Sequence, residues 1–228
     1  MALIDIKKWS IDECKHLIYT HEPRQVELFN QCINNIISET PTMIELGAGE
    51  GLYSLIFNEF FVKKNKQHKN ICVELHGYKI EQIKEHSPSA ITYEGYLGEL
   101  NLDVGDVTDL FRINENTTSE VTLSKQKRIY LKDIFEQNKL SAVDILHADV
   151  QGVEDIILNE LKDANLINKI RYYFISTHSH LIDKHKICTD FIKEYIPNNH
   201  TLFNDPRTDC GGGYGDGLIV IENLNFLI

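Results

Sequence analysis

The sequence has no Cys-x-x-Cys pair, no internal repeat, no low-complexity tract and few basic residues. Its cysteines, Cys14, Cys32, Cys72, Cys188 and Cys210, are five in number and widely spread. An odd, scattered set is neither a disulfide framework nor a zinc ribbon. No apolar run approaches the roughly 18 residues that a membrane helix needs. The opening MALIDIKKWSIDECKH has no apolar core of signal-peptide length. These absences lead us to expect a protein with reduced thiols, no membrane span and a cytoplasmic location. The shortage of bases leaves a net charge of −11. Phosphate backbones and anionic membranes require a positive field, so this balance argues against nucleic acid or a membrane surface as the main partner.

What is present is ordinary globular material: 42% hydrophobic and 25% charged residues over 228 positions. A single domain of that length buries roughly 70–75% of the surface that its unfolded chain exposes. Within residues 1–40, Val26, Phe29, Cys32, Ile33 and Ile36 recur at helical spacing and predict a helical segment. Two roles stand open for that segment, a lid over a cofactor or the contact of a homodimer. From residue 41 onward short β-rich runs alternate with amphipathic helical stretches. Strands are expected at 42–46, 70–75, 90–93, 142–148 and 170–176, with helices at 52–60, 79–86, 131–137, 153–161 and 183–195. Such alternation means a mostly parallel sheet with helices on both faces, a doubly wound α/β fold. Two last strands, near 201–203 and at 217–221, are joined by a loop and should pair antiparallel at one edge. Residues 95–128, rich in Gly, Asp, Asn, Thr and Ser, read as an irregular or hairpin insertion, and so long an insertion in a compact domain is usually functional.

Three clusters carry chemistry. The first is Glu45-Leu46-Gly47-Ala48-Gly49-Glu50-Gly51, between a strand and a helix. Its glycines permit a tight turn and a close backbone approach beside a helix N-terminus. A dinucleotide fingerprint would have its third glycine where Leu52 stands. Glu45 and Glu50 would repel a pyrophosphate but attract a ligand carrying an ammonium and a sulfonium, as S-adenosylmethionine does. Glu74, at the end of the second strand, is placed to accept both ribose hydroxyls.

The second cluster is His147-Ala148-Asp149-Val150-Gln151-Gly152-Val153-Glu154, and the third is Ser176-Thr177-His178-Ser179-His180. Ligands of open α/β sheets bind beyond the carboxyl ends of the strands, so Asp149 and His178, ending neighbouring strands, should face one crevice. A carboxylate beside a histidine suits His178 to act as general base, with Asp149 orienting it. The same two residues are alternatively ligands of a Mg²⁺ ion. Cys210 to Gly217 is a glycine-rich connection over the crevice whose Tyr214 and Asp216 are candidate substrate contacts, with Gln151 a third.

Together, PTMIELGAGEGLYSLIF and VDILHADVQGVEDIIL resemble the FkbM-type methyltransferases, a branch of the class I S-adenosylmethionine-dependent methyltransferases. YLKDIF, FISTHS and DGLIVIEN add weaker support, and the resemblance spans residues 40–222. It implies a seven-stranded sheet of order 3-2-1-4-5-7-6 with strand seven antiparallel, and methyl transfer to a hydroxyl of a sugar, glycan or other small metabolite. It further implies that Glu45, Gly47, Gly49 and Glu74 contact the cofactor, with Ala48, Gly51 and Leu75 beside them, and that Glu154 braces the site. Glu74 departs from the family's pattern in being followed by Leu75-His76 rather than proline, and the insertion at 95–128 matches nothing in it. The spacing of Asp149 and His178 is similar to that of metal-assisted O-methyltransferases. Two rival readings are an NAD(P)-dependent oxidoreductase, which shares the sheet and the strand-two acid, and a catalytically silent methyltransferase-fold partner subunit.

Overall fold

The computed structural model describes residues 10–98, 127–150, 152–178, 183–206 and 216–226, apart from the side chains of Cys14, Leu17, His21 and Asp216. The bulk of the insertion, Gln151 and Tyr214 lie outside the described residues.

Two helices open the chain. α1 (Ile11–His21) starts in a capping box, with Ser10 accepting from the Glu13 amide and Glu13 accepting from the Ser10 amide at 2.9 Å. These reciprocal bonds satisfy amide groups that a helix start leaves unpaired. α2 (Pro23–Asn34) begins on a proline, whose fixed φ and missing N–H suit the first helical position. Then follow β1 (Thr42–Leu46), α3 (Leu52–Lys63), β2 (Lys69–Glu74), α4 (Gly77–His86) and β3 (Ile91–Glu94). The second half comprises α5 (Leu131–Gln137), β4 (Val143–Ala148), α6 (Glu154–Asp163), β5 (Ile170–His178), α7 (Lys184–Tyr195), β6 (Asn199–Asp205) and β7 (Asp216–Asn223).

The seven strands form one sheet of order β3-β2-β1-β4-β5-β7-β6, with β7 antiparallel to both its neighbours. This is the expected architecture, strand for strand. β5 runs two residues further than its apolar stretch, to His178, because Thr177 and His178 pair with Gly217 and Asp216.

Alternation within the central strands sorts the core into two layers. Ile44, Leu46, Leu146, Tyr173 and Ile175 pack with α5, α6 and α7, whereas Met43, Ile145, Tyr172 and Phe174 pack with α2 and α3. α4 closes the second face over Cys72 through Ile80 and Ile83. Both faces are covered, so the central strands read as near-continuous apolar runs. Asp144 ties the bottom of β4 to the start of β1, accepting from the Thr42 amide and the Ser38 hydroxyl at 2.8 Å each.

Residues 23–36 are part of the core. Phe29 is fully buried and meets the rings of Tyr53 and Phe174 edge-on at 5.0 and 5.6 Å. Phe29→Ala should therefore cost about 3–5 kcal/mol in a denaturant titration. A loss below about 1 kcal/mol would show that α2 unfolds separately from the sheet.

Candidate functional site

A cavity of about 450 Å³ opens beyond the carboxyl ends of β1, β2 and β4, where open α/β sheets bind ligands. Its floor is the glycine turn after β1. The Gly47 and Ala48 amides both donate to the Val73 carbonyl, at 2.9 and 3.0 Å, while the Asp149 amide donates to the Leu46 carbonyl at 3.0 Å. Gly47 has φ +70°, and a Cβ there would overlap the Asp149 carbonyl oxygen. No other residue fits. Gly49, at φ +54°, is less crowded, since a Cβ there would meet only Lys79 Nζ, at 3.8 Å. Gly51 differs from the expectation. It does not line the cavity, and its αL conformation starts α3 with a Cβ position only 2.9 Å from Ile83. It is a packing glycine against α4.

Glu74 ends β2 at the cavity wall, 5% exposed, and accepts from the Gly49 amide at 2.8 Å and the His76 amide at 2.9 Å. A carboxylate has roughly four acceptor positions, so two remain for a ligand diol. Leu75 and Ala48 also line the wall. Glu45 lies 2% exposed beneath the loop, bound by the Ser54 amide at 3.0 Å and by the Ser54 hydroxyl. Burial pushes its carboxyl up to about 8, more than the Ser54 bonds pull it down. Near neutral pH it therefore holds its proton, and the expected repulsion of a pyrophosphate by Glu45 passes to the other acids of the cavity.

The far end of the cavity was not legible in the sequence. Ile18 and Glu22, at the α1–α2 junction, line it together with Tyr53 and His147. The Tyr53 hydroxyl donates to Glu22 at 2.6 Å, and its ring stacks on His147 with centroids 4.1 Å apart. His147 contacts the Gln25 amide at 2.7 Å through Nε2. Desolvation pushes the His147 imidazole down to about 3, so it is neutral, and its buried Nδ1 has no hydrogen-bond partner among the described residues. The one available signal was register: His147 pairs with Glu45 across β1 and β4 and shares a face with it.

Asp149 and His178 do come together, with Asp149 Oδ1 at 3.3 Å from His178 Nε2. Their places differ from expectation. Asp149, with a side chain 30% exposed, lines the cavity; His178, 5% exposed, does not and stands behind it. The residue that grips the imidazole at Nδ1 is Glu154, at 2.6 Å and fully buried, which also accepts from the Gly152 amide at 3.0 Å. Asp216 opens β7 opposite His178. His185 bonds Thr177 and Asn204 at 2.9 and 2.7 Å and joins α7 to two strands.

The donor set does not suit Mg²⁺. His178 Nδ1 is committed to Glu154, imidazole is a poor ligand for so hard a cation, and among the described residues no group of three His, Cys, Asp or Glu could hold a metal ion.

No family model matches the chain, and neither does any curated protein. Among solved structures, Trm5b from Pyrococcus abyssi is similar over 96% of this chain at 9% identity and a TM-score of 0.50. The chain spans 52% of that protein's length. A SAM-dependent methyltransferase from Aquifex aeolicus matches at 9% identity and TM-score 0.47, covering 94% of this chain and 100% of its own. An rRNA methylase from Streptococcus thermophilus matches at 7% and 0.48, covering 88% and 97%. At 9% identity the likeness to Trm5b speaks for the fold alone.

The buried Glu45 carries a pH signature. Its unfolded pKa lies near 4.5 and its folded value near 8, so between those limits the folded state holds the extra proton. This group's contribution to stability therefore falls as pH rises through that window. Glu45→Gln, which keeps an acceptor for Ser54, should flatten that decline and raise stability at pH 8 by on the order of 1–2 kcal/mol. Thermal melts from pH 5 to 8 check this; an equal loss at both ends would refute it.

Proposed function

We propose that this chain is an S-adenosylmethionine-dependent O-methyltransferase acting on a hydroxyl of a sugar, glycan or other small polar metabolite, within the FkbM-type branch. One arrangement carries the reading: the Gly49–Glu74 clasp at one end of a cavity whose other end presents Asp149. The site suits the cofactor on three observations. Gly49 leaves backbone open to a ligand, Glu74 keeps acceptor positions, and the cavity has the size of a small-molecule site. The unpartnered Nδ1 of His147 adds a donor or acceptor that a polar ligand would satisfy.

When bound, S-adenosylmethionine supplies an electrophilic methyl group. Glu74 would accept from its ribose hydroxyls, and the glycine turn would let the backbone approach its adenosine. Glu22 and Asp149 place negative charge toward the sulfonium end. Positioning of the acceptor oxygen supplies most of the acceleration, since alignment of reacting groups is worth roughly 7–11 kcal/mol. Asp149, partly exposed on the cavity wall, is the group we assign to the acceptor's proton.

The described cavity lining contains Glu22, Glu45, Glu50, Glu74 and Asp149 against Lys79, which already pairs with Glu50 at 3.6 Å. A nicotinamide dinucleotide's pyrophosphate finds no unpaired lysine or arginine in that set.

Calorimetric titration with S-adenosylhomocysteine tests the proposal. We expect a micromolar Kd, about −8 kcal/mol, and at least tenfold weaker binding in Glu74→Gln. Binding of NAD as tight as that of S-adenosylhomocysteine would overturn it in favour of a dehydrogenase.

A further inference from the structure

His178 is bracketed by two carboxylates. Glu154 Oε1 lies 2.6 Å from Nδ1 and Asp149 Oδ1 lies 3.3 Å from Nε2. The two ring nitrogens point away from each other, so the acids sit on opposite sides of the ring. A neutral imidazole has one N–H and one lone pair; in either tautomer one carboxylate would face a lone pair. Only the doubly protonated ring donates to both. The same Glu154 oxygen accepts from the Gly152 amide at 3.0 Å, and a fully buried carboxylate requires a charged or hydrogen-bonding partner of this kind.

We propose that His178 is held as an imidazolium between Glu154 and Asp149, and that Asp149 rather than the ring accepts the proton of the acceptor hydroxyl, with Glu154 as the positioning residue. This rests on the methyl-transfer reading. The acceptor oxygen bonds to the methyl carbon, the carbon–sulfur bond breaks with its electron pair remaining on sulfur, and the hydroxyl proton passes to the Asp149 carboxylate. An imidazolium is already protonated and takes no further proton; its charge keeps Asp149 ionised and so free to accept one. Glu22 is within electrostatic reach of Asp149 and repels its negative charge, a repulsion that the imidazolium offsets. Tyr53 lies in the same field. On the other side, Glu154 faces Cys188 of α7, with Asp155 and Lys184 paired nearby at 2.7 Å.

The imidazole ¹⁵N resonances of the full chain decide the matter, with His178→Gln used to assign the ring. We expect His178 to remain doubly protonated through pH 8, more than one pH unit above the usual value of about 6.5. Glu154→Gln and Asp149→Asn should each weaken proton binding by the ring at least tenfold. A purely structural Glu154 would lower the melting temperature and leave that titration where it was. A neutral His178 at pH 7 in the wild-type chain, or a titration unmoved by both substitutions, overturns the proposal. Should Glu154→Gln fail to fold, the wild-type midpoint and Asp149→Asn still decide. Failure of S-adenosylhomocysteine to bind would instead refute the methyl-transfer reading, and the two failures are read independently.

Discussion

Three backbones meet at Gly47, and the site exists because they meet so closely. β1 lies between β2 and β4, and at its end the chain must turn without breaking contact with either neighbour. It does so by donating two amides to Val73 on one side and accepting the Asp149 amide at Leu46 on the other. A side chain at Gly47 would overlap the Asp149 carbonyl, and its positive φ is a region that L residues enter at a cost of order 1–3 kcal/mol. That contact brings Glu74, from the end of β2, and Asp149, from beyond β4, to opposite walls of one cavity. Neither residue's position is a local matter. Each follows from parallel pairing with β1 and from the absence of one Cβ.

Carboxylates crowd around this junction, and the structure meets their desolvation in different ways. Glu74 takes two backbone amides, Asp144 takes an amide and a hydroxyl, and Glu154 takes an amide and an imidazole. Glu45 has Ser54 and the Tyr53 backbone, yet burial outweighs them and it retains its proton toward pH 8. The first three are held by specific donors, so they act as fixed parts of the framework. Glu45 is of another kind, a group whose charge depends on what occupies the cavity. A cationic ligand would draw it toward ionisation and release a proton, which would couple ligand binding to the burial of this carboxyl.

Much of this was legible in the sequence, and the limits have physical causes. Strand and helix positions followed from periodicity, and the antiparallel edge followed from a loop where a crossover helix would otherwise stand. Glycines were harder to apportion. Gly47, Gly49 and Gly51 all adopt positive φ, but one meets backbone, one the tip of Lys79 and one Ile83. A sequence records that no side chain fits; it does not record what fills the room. The meeting of Asp149 and His178 was foreseeable from their strand ends, whereas their order was not. Which of the two looks into the cavity is set by how the chain leaves β4, a matter of a few dihedral angles. Glu22, Tyr53 and His147 come from three separate segments, and only packing of α2 and α3 on the sheet gathers them.

In the function we propose, charge would give the site its selectivity, and would do so at two ranges. The chain's net charge of −11 sets a field that disfavours polyanions before contact. Inside the cavity, Lys79 answers Glu50, leaving Glu22, Glu74 and Asp149 to define the potential that a ligand meets while Glu45 is protonated. Among the described residues of the lining, a phosphate placed there would have to displace an existing ion pair to find a lysine or arginine. A sulfonium or an uncharged hydroxyl needs no such displacement, and a cation gains from every acid in the lining. The sheet itself is common to proteins of many activities and carries no such preference. The preference comes from which residues close β2, follow β4 and join α1 to α2, so those three short segments decide what this copy of a widespread fold is built to hold.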